Sequence, residues 1–278
     1  MYYYGAYDFL LQSQLALPGF SEKTIPADTA DVTISYGEVS PVGLANPIEQ
    51  GFAFQRNQTE YWLSLPTIAR FLVCKGQTII IEPAPNVDPD SITAFLLGPC
   101  LEALLKQRHL IILPGFALQI DQNAIAFTGT LGTGQAMLQA FFYKKGYSFL
   151  AGNTFALNHQ GRVLSGLSHI ELSQSIIKPL ALSTPELRPL RPGIDKYLLP
   201  LAQQHCPDSL TLRTFYTLKM HQKSTITFSA SNTNAYLQQI CPDDSEMIDI
   251  YLPKTGFKLQ QIVDAINQDI VERGQHYA

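Results

Sequence analysis

Apolar runs broken by polar and turn residues make the first 86 residues read as β-rich, and one of these runs alternates hydrophobic and polar positions with a period of two. Residues 31–36 (Asp-Val-Thr-Ile-Ser-Tyr) alternate as a half-buried strand should, and short strands are predicted over 51–54, 60–65, 69–74 and 78–82. Lys75-Gly76 reads as the hairpin turn between the last two, and 37–50 is polar and proline-containing, a loop. The period then lengthens. From Asp88-Pro89-Asp90-Ser91, which supplies an N-cap, apolar residues recur at Ile92, Phe95, Leu96, Leu101, Leu104 and Leu105. That is a helix, kinked at Gly98-Pro99. It closes on Lys106-Gln107-Arg108-His109, positive charge where the helix dipole favours it, which makes His109 a capping residue rather than a ligand.

Strands follow at 110–113, 116–120 and 124–127, with Asp121-Gln122-Asn123 as a turn. A helix begins near Met137 and ends at Lys144-Lys145-Gly146, with Gly146 as its C-cap. Strands at 147–151 and 154–157 flank Gly152-Asn153. Beyond them, 183–192 reads as an extended loop with three prolines, 194–204 as an amphipathic helix, and 209–218 with 224–228 as a hairpin. A short helix is expected at 233–240, a strand at 247–252 and a closing helix at 259–270, striped by Ile262, Ile266 and Ile270. The fold class that follows is α/β, with a β-rich N-terminal subdomain over 1–87 and a core of mixed sheet and helices over 88–278.

One stretch carries a chemical signature. Gly129-Thr130-Leu131-Gly132-Thr133-Gly134-Gln135-Ala136 sits between a predicted strand and a predicted helix. Gly129 and Gly134 fall where a phosphate-binding loop, G-x-x-x-x-G-K-[ST], needs them. The lysine position holds Gln135 and the hydroxyl position holds Ala136. The backbone N–H cradle is kept while its two reactive groups are absent, which leaves weak phosphate, ATP or ADP binding and no resident cofactor.

Composition narrows the rest. The 278 residues are 46% hydrophobic and only 15% charged, enough for a sizeable core. The net charge of −4 gives no electrostatic footprint for nucleic acid or an anionic membrane. Cys74, Cys100, Cys206 and Cys241 form no C-x-x-C pair, so reduced thiols are expected. With no signal-like start and no apolar run of spanning length, a cytoplasmic location is expected.

The order of these segments resembles the bacterial HPr kinase-like P-loop proteins, whose fold is shared with the phosphoenolpyruvate carboxykinases. The likeness is carried by Tyr61-Trp62-Leu63-Ser64-Leu65-Pro66 leading to Arg70-Phe71-Leu72-Val73, by Ile81-Glu82-Pro83-Ala84-Pro85, and by Phe95-Leu96-Leu97-Gly98 with Leu104-Leu105-Lys106-Gln107-Arg108. It continues through the glycine loop, 143–151, and Leu190-Arg191-Pro192-Gly193-Ile194-Asp195-Lys196-Tyr197-Leu198-Leu199-Pro200-Leu201, covering nearly the whole chain. The resemblance implies a kinase core whose lysine, serine, aspartate pair and strand histidine fall here at Gln135, Ala136, Gly152-Asn153 and about Pro114. A basic residue of the family falls near His169. Every one of the four reactive positions is changed, so no catalytic residue and no metal ligand is expected.

What the resemblance implies is therefore a degenerate member, a pseudokinase that binds a protein or peptide. A phosphotransferase using Arg191, Lys196 or His169, and a non-catalytic subunit of a homo- or hetero-oligomer, stay open beside it. The binding positions so named are Gly129, Gly132, Thr133, Gly134, Gln135, Ala136, Asn153, Arg191 and Lys196. Other groups carry less. His159, His169 and Glu171 fit no metal spacing, Asp243-Asp244-Ser245-Glu246 lacks the alternation of a calcium loop, and Ser165 is in no nucleophile elbow.

Overall fold

The alternating N-terminal segments become β1 (Tyr2–Ala6), β2 (Phe9–Ser13), β3 (Ser21–Glu22), β4 (Val32–Tyr36), β5 (Glu49–Gln50), β6 (Phe54–Arg56), β7 (Glu60–Leu65), β8 (Ala69–Cys74) and β9 (Thr78–Pro83) in a computed structural model. It describes residues 1–24, 30–129, 134–182, 187–201, 204–231, 241–242, 245–253 and 259–274. The nine strands form one sheet in the order β3-β1-β2-β4-β9-β8-β7-β6-β5. In it β4 runs parallel to β2 and β9, and the other pairs are antiparallel. Alternation buries Val32 and Ile34, Phe71 and Val73, and Ile79 and Ile81. Tyr7 and Asp8 (φ 55° and 60°) and Lys75 and Gly76 (φ 52° and 64°) turn their hairpins with positive φ, the twist that two-residue connections favour. The strand expected at 51–54 starts only at Phe54. Gly51 donates its N–H to Phe54 O (2.8 Å), so this stretch is the β5–β6 turn instead.

The kinked helix is α1 (Pro89–Phe95), a wide turn over Leu96–Cys100, and α2 (Leu101–Gln107). The Asp88 carboxylate accepts the Ser91 N–H (2.9 Å), and Gly98 leaves helical geometry (φ −93°, ψ −108°) ahead of Pro99. His109 (φ 62°) follows α2 in the left-handed position and donates its N–H to Lys106 O (2.9 Å), the capping place expected of it. Ile92, Leu96, Cys100, Leu101, Leu104 and Leu105 are buried in one cluster with Phe71, Val73 and Ile79. The helix that starts at 88 therefore packs on the first sheet, because its apolar stripe completes that core, which Ala156 and Leu164 also enter.

The rest comprises β10 (Ile111–Pro114), β11 (Phe116–Ile120), β12 (Asn123–Gly129), α3 (Gln135–Lys144), β13 (Phe149–Ala151), β14 (Thr154–Leu157), β15 (Arg162–Leu164) and β16 (His169–Leu172). Then come α4 (Gln174–Ile177), β17 (Arg188–Pro189), β18 (Tyr197–Pro200), β19 (Leu210–His221), β20 (Thr227–Ala230), β21 (Glu246–Pro253) and α5 (Leu259–Gly274). The second large sheet runs β10-β14-β15-β19-β12-β11-β13, with β21 beside the later part of β19 and β20 beside β21. Its centre, β12-β19-β21, is parallel. One face sets Phe127, Tyr216, Leu218 and Ile250 against Leu138 and Phe142 of α3 and Ile262, Val263 and Ile266 of α5. The other buries Ala124, Ala126, Phe155, Leu157 and Phe215. A small sheet, β16-β18-β17, completes the architecture, a strand-rich mixed α/β fold.

Two expectations fail here. The helix over 194–204 is not formed among the described residues of that span. Tyr197–Pro200 is the central strand β18, whose backbone groups are taken up by β16 on one side and β17 on the other. Leu198 and Leu199 are both buried in that position, so tertiary pairing overrides a helical spacing of apolar residues. The strands at 209–218 and 224–228 exist but are not a hairpin. β21 lies between them, parallel to β19 over eight residue pairs and antiparallel to β20. The helix expected at 233–240 lies outside the described residues, as do Asp243 and Asp244. No helix among the described residues is long and apolar enough to cross a membrane.

Candidate functional site

The glycine loop leaves the C-terminal end of β12, a central strand with parallel β19 on one side and antiparallel β11 on the other. In sheets of this kind, ligands bind beyond the carboxyl ends of parallel strands. Gly129 ends the strand. Thr130, Leu131, Gly132 and Thr133 lie outside the described residues. The chain is described again at Gly134, whose φ of 80° is left-handed and suits glycine, and its carbonyl accepts the Leu138 N–H (2.9 Å). Gln135 and Ala136 then form the first turn of the ten-residue α3. The N–H groups of a helix's first turn lack intrahelical partners, and the helix dipole is positive there.

Two other segments converge on the end of β12. Thr128 donates its hydroxyl to Pro114 O (2.7 Å). Gly115 donates its N–H to Asn153 O (2.8 Å), and Pro114 is paired with Thr154. The contact is tight because a Cβ on Gly115 would collide with Phe127 O. Gly152 is equally confined, since a Cβ there would stand 2.5 Å from His169 O. Asn153 holds a left-handed turn (φ 48°), which its short polar side chain tolerates. Pro114, Asn153 and the start of the loop are thus neighbours, although they lie far apart in sequence.

Arg191 and Lys196 are placed differently. The Arg191 guanidinium lies 5.4 Å from the Phe95 ring centroid, held against the kinked helix as a cation over an aromatic face. The Lys196 ammonium is 2.9 Å from Glu171. Glu171 and Asn153 line a crevice of about 100 Å3 beneath the helix kink at Gly98, so Lys196 reaches the wall of the Asn153 turn only through that carboxylate. His169, on β16, lines the same crevice. The residue is 8% exposed, and its Nδ1 has no hydrogen-bond partner among the described residues. Burial lowers its pKa to about 4; Glu171 opposes that shift and Arg188 adds to it. His169 is therefore a neutral imidazole at physiological pH.

Sequence reading missed a lysine near the end of β12. Leu218 pairs with Gly129, the last residue of β12, and Lys219 follows it on β19. Its ammonium is 2.5 Å from Asp249 Oδ2 on β21, and the Asp249 side chain is only 5% exposed. The pair lies on the sheet face opposite α3. The signal was present in the chain, as charged residues inside two otherwise apolar strands, Leu218-Lys219-Met220 and Ile248-Asp249-Ile250. Such residues are rarely buried without a partner.

Ser165 has a structural role. It donates its hydroxyl to Cys206 O (2.7 Å), with His205 Nε2 at 3.4 Å, so its proton is committed to a carbonyl. Among the described residues no group of three His, Cys, Asp or Glu is arranged to hold a metal ion.

No protein-family model matches the sequence, and no curated protein matches it. Among solved structures, the chain is similar to the HPr(Ser) kinase/phosphatase from Coxiella burnetii, with a TM-score of 0.36 and 10% identity over 60% of this chain and 94% of that one.

Proposed function

We propose that this chain is a phosphate-loop protein that no longer transfers phosphoryl groups and that works by binding a protein or peptide partner. One observation carries the reading. The described parts of the three segments that converge at the end of β12 offer Gln135, Ala136, Pro114, Gly152 and Asn153 where such chemistry needs a cation, a metal-binding hydroxyl and a base. Phosphoryl transfer is catalysed mainly by positioning and charge stabilisation. Gln135 donates only neutral hydrogen bonds, about half as strong as charge-assisted ones. Ala136 has no oxygen for Mg2+, and Asn153 cannot accept a proton near neutral pH. Arg191 and Lys196 are engaged with Phe95 and Glu171, and His169 is neutral and enclosed, which weighs against a phosphotransferase built on them.

What the site keeps is a modest attraction for anions. It comes from the first-turn N–H groups of α3. Thermal unfolding with phosphate, ADP and ATP, each with and without Mg2+, tests this. A small shift at millimolar ligand, independent of Mg2+, is expected. A ligand at 100 times its Kd stabilises by about 2.7 kcal/mol. A stabilisation of that size by micromolar ATP that requires Mg2+ would show an intact nucleotide site and defeat the proposal.

A further inference from the structure

A second site lies on the first sheet. A groove of about 510 Å3 opens between the β5–β7 strands and α2. That volume is within the roughly 300–1,000 Å3 of typical ligand pockets. Phe54 and Tyr61 both line it, and their rings are stacked with centroids 6.0 Å apart and planes 24° from parallel. Pro99 and Ala103 add apolar surface from the helix side.

The charges in the groove do not balance. Arg56 is closed by Glu49 at 2.5 Å, and Lys106 by Glu102 at 2.6 Å, both within the lining. The third carboxylate, Glu60, accepts a hydrogen bond from Asn57 Nδ2 (2.8 Å) and has no cation within ion-pair distance among the described residues. The lining therefore carries one uncompensated negative charge beside an aromatic pair. An aromatic face attracts a cation, and a carboxylate adds a charge-assisted hydrogen bond to it. Next to the groove, Ile48 and Phe52 on the flanks of β5 are fully or largely exposed, apolar surface of the kind a partner covers.

We infer that this groove is a socket for a basic side chain, arginine or lysine, of a protein or peptide partner. An acidic side chain would face Glu60, and a purely apolar one would leave the carboxylate uncompensated. The choice of a macromolecular ligand rests on the partner-binding role proposed above, whereas the cation specificity of the groove rests on its own lining.

Amide NMR of the full chain tests it, with N-acetyl-arginine amide as probe and its neutral isostere N-acetyl-citrulline amide as control. The arginine compound should produce saturable shifts confined to residues 54–61 and 99–107, and bind roughly 10-fold more tightly than the citrulline compound, as loss of a charge-assisted bond implies. Glu60→Gln should bring arginine down to the citrulline level without changing the rest of the spectrum, and Tyr61→Leu should weaken it a few-fold. Equal binding of the two compounds, shifts elsewhere or none, or an unchanged affinity in Glu60→Gln would each overturn the inference. Turnover of ATP would defeat the proposed function and leave this result standing.

Discussion

Phe127→Ala will destabilise the protein by about 3–5 kcal/mol, the cost of removing a fully buried phenyl ring. The side chain has no exposure, and it stacks on Phe116 (4.7 Å between centroids) and on Tyr216 (4.9 Å), with Phe142 at 5.6 Å. Those three rings belong to β11, β19 and α3, so one side chain ties the strand that leads into the glycine loop to both neighbouring strands and to the helix that follows. A domain is typically stable by only about 5–15 kcal/mol, so the loss should be visible as a large fall in the urea midpoint. Phe52→Ala is the control. Its ring is fully exposed, and the change should stay within about 0.5 kcal/mol. A loss below about 1 kcal/mol for Phe127→Ala would mean that this aromatic cluster is not the core of the second large sheet.

Acid will destabilise the protein through His169. The folded pKa is lowered to about 4, chiefly by burial. The unfolded value is about 6.5. Between those limits the unfolded chain takes up a proton that the folded chain refuses, so stability falls as pH drops from about 6.5 towards about 4 and this group adds nothing further below that. The difference corresponds to on the order of 3 kcal/mol. Glu171 and Arg188 act on the ring, and Asp90 shares a crevice with it; all three remain in a His169→Leu variant and cancel in the comparison. Urea unfolding at pH 7 and at pH 4.5 should show wild type losing more stability than the variant by an amount approaching that figure. Equal losses would show that His169 is either solvated or charged in the folded state.

Local structure was largely written in the chain. The bounds of β7 and β8 coincide with the short strands predicted over 60–65 and 69–74, because turn signals such as Pro66 and Lys75-Gly76 end those runs. Asp88 announced its cap and Gly98-Pro99 their kink, since both act within a few residues. Pairing was not legible. Alternation says that 209–218 and 247–252 are strands, but not that β21 separates β19 from β20, because a parallel ladder joins segments with no turn between them to reveal it. Non-local pairing likewise hid β18, flanked antiparallel by β16 and β17, and it hid Lys219, which follows the β19 partner of Gly129.

The candidate site divides in the same way. Residues 129–136 can be read from spacing, but the meeting of Pro114 and Asn153 with the end of β12 follows from sheet geometry. For Arg191 and Lys196 the sequence gives charge and not partners. Phe95 and Glu171 occupy them in the fold, and neither is near them in the chain.

The central claim is that the converging segments around Gly129, Gly134 and Asn153 have lost phosphoryl-transfer chemistry. The most direct measurement is the release or transfer of the γ-phosphate from radiolabelled ATP in the presence of Mg2+, with wild type, Asn153→Ala and Lys219→Met in parallel. The expected result is no turnover above protein-free buffer in any of the three. Turnover by wild type that disappears in Asn153→Ala or in Lys219→Met would contradict the account.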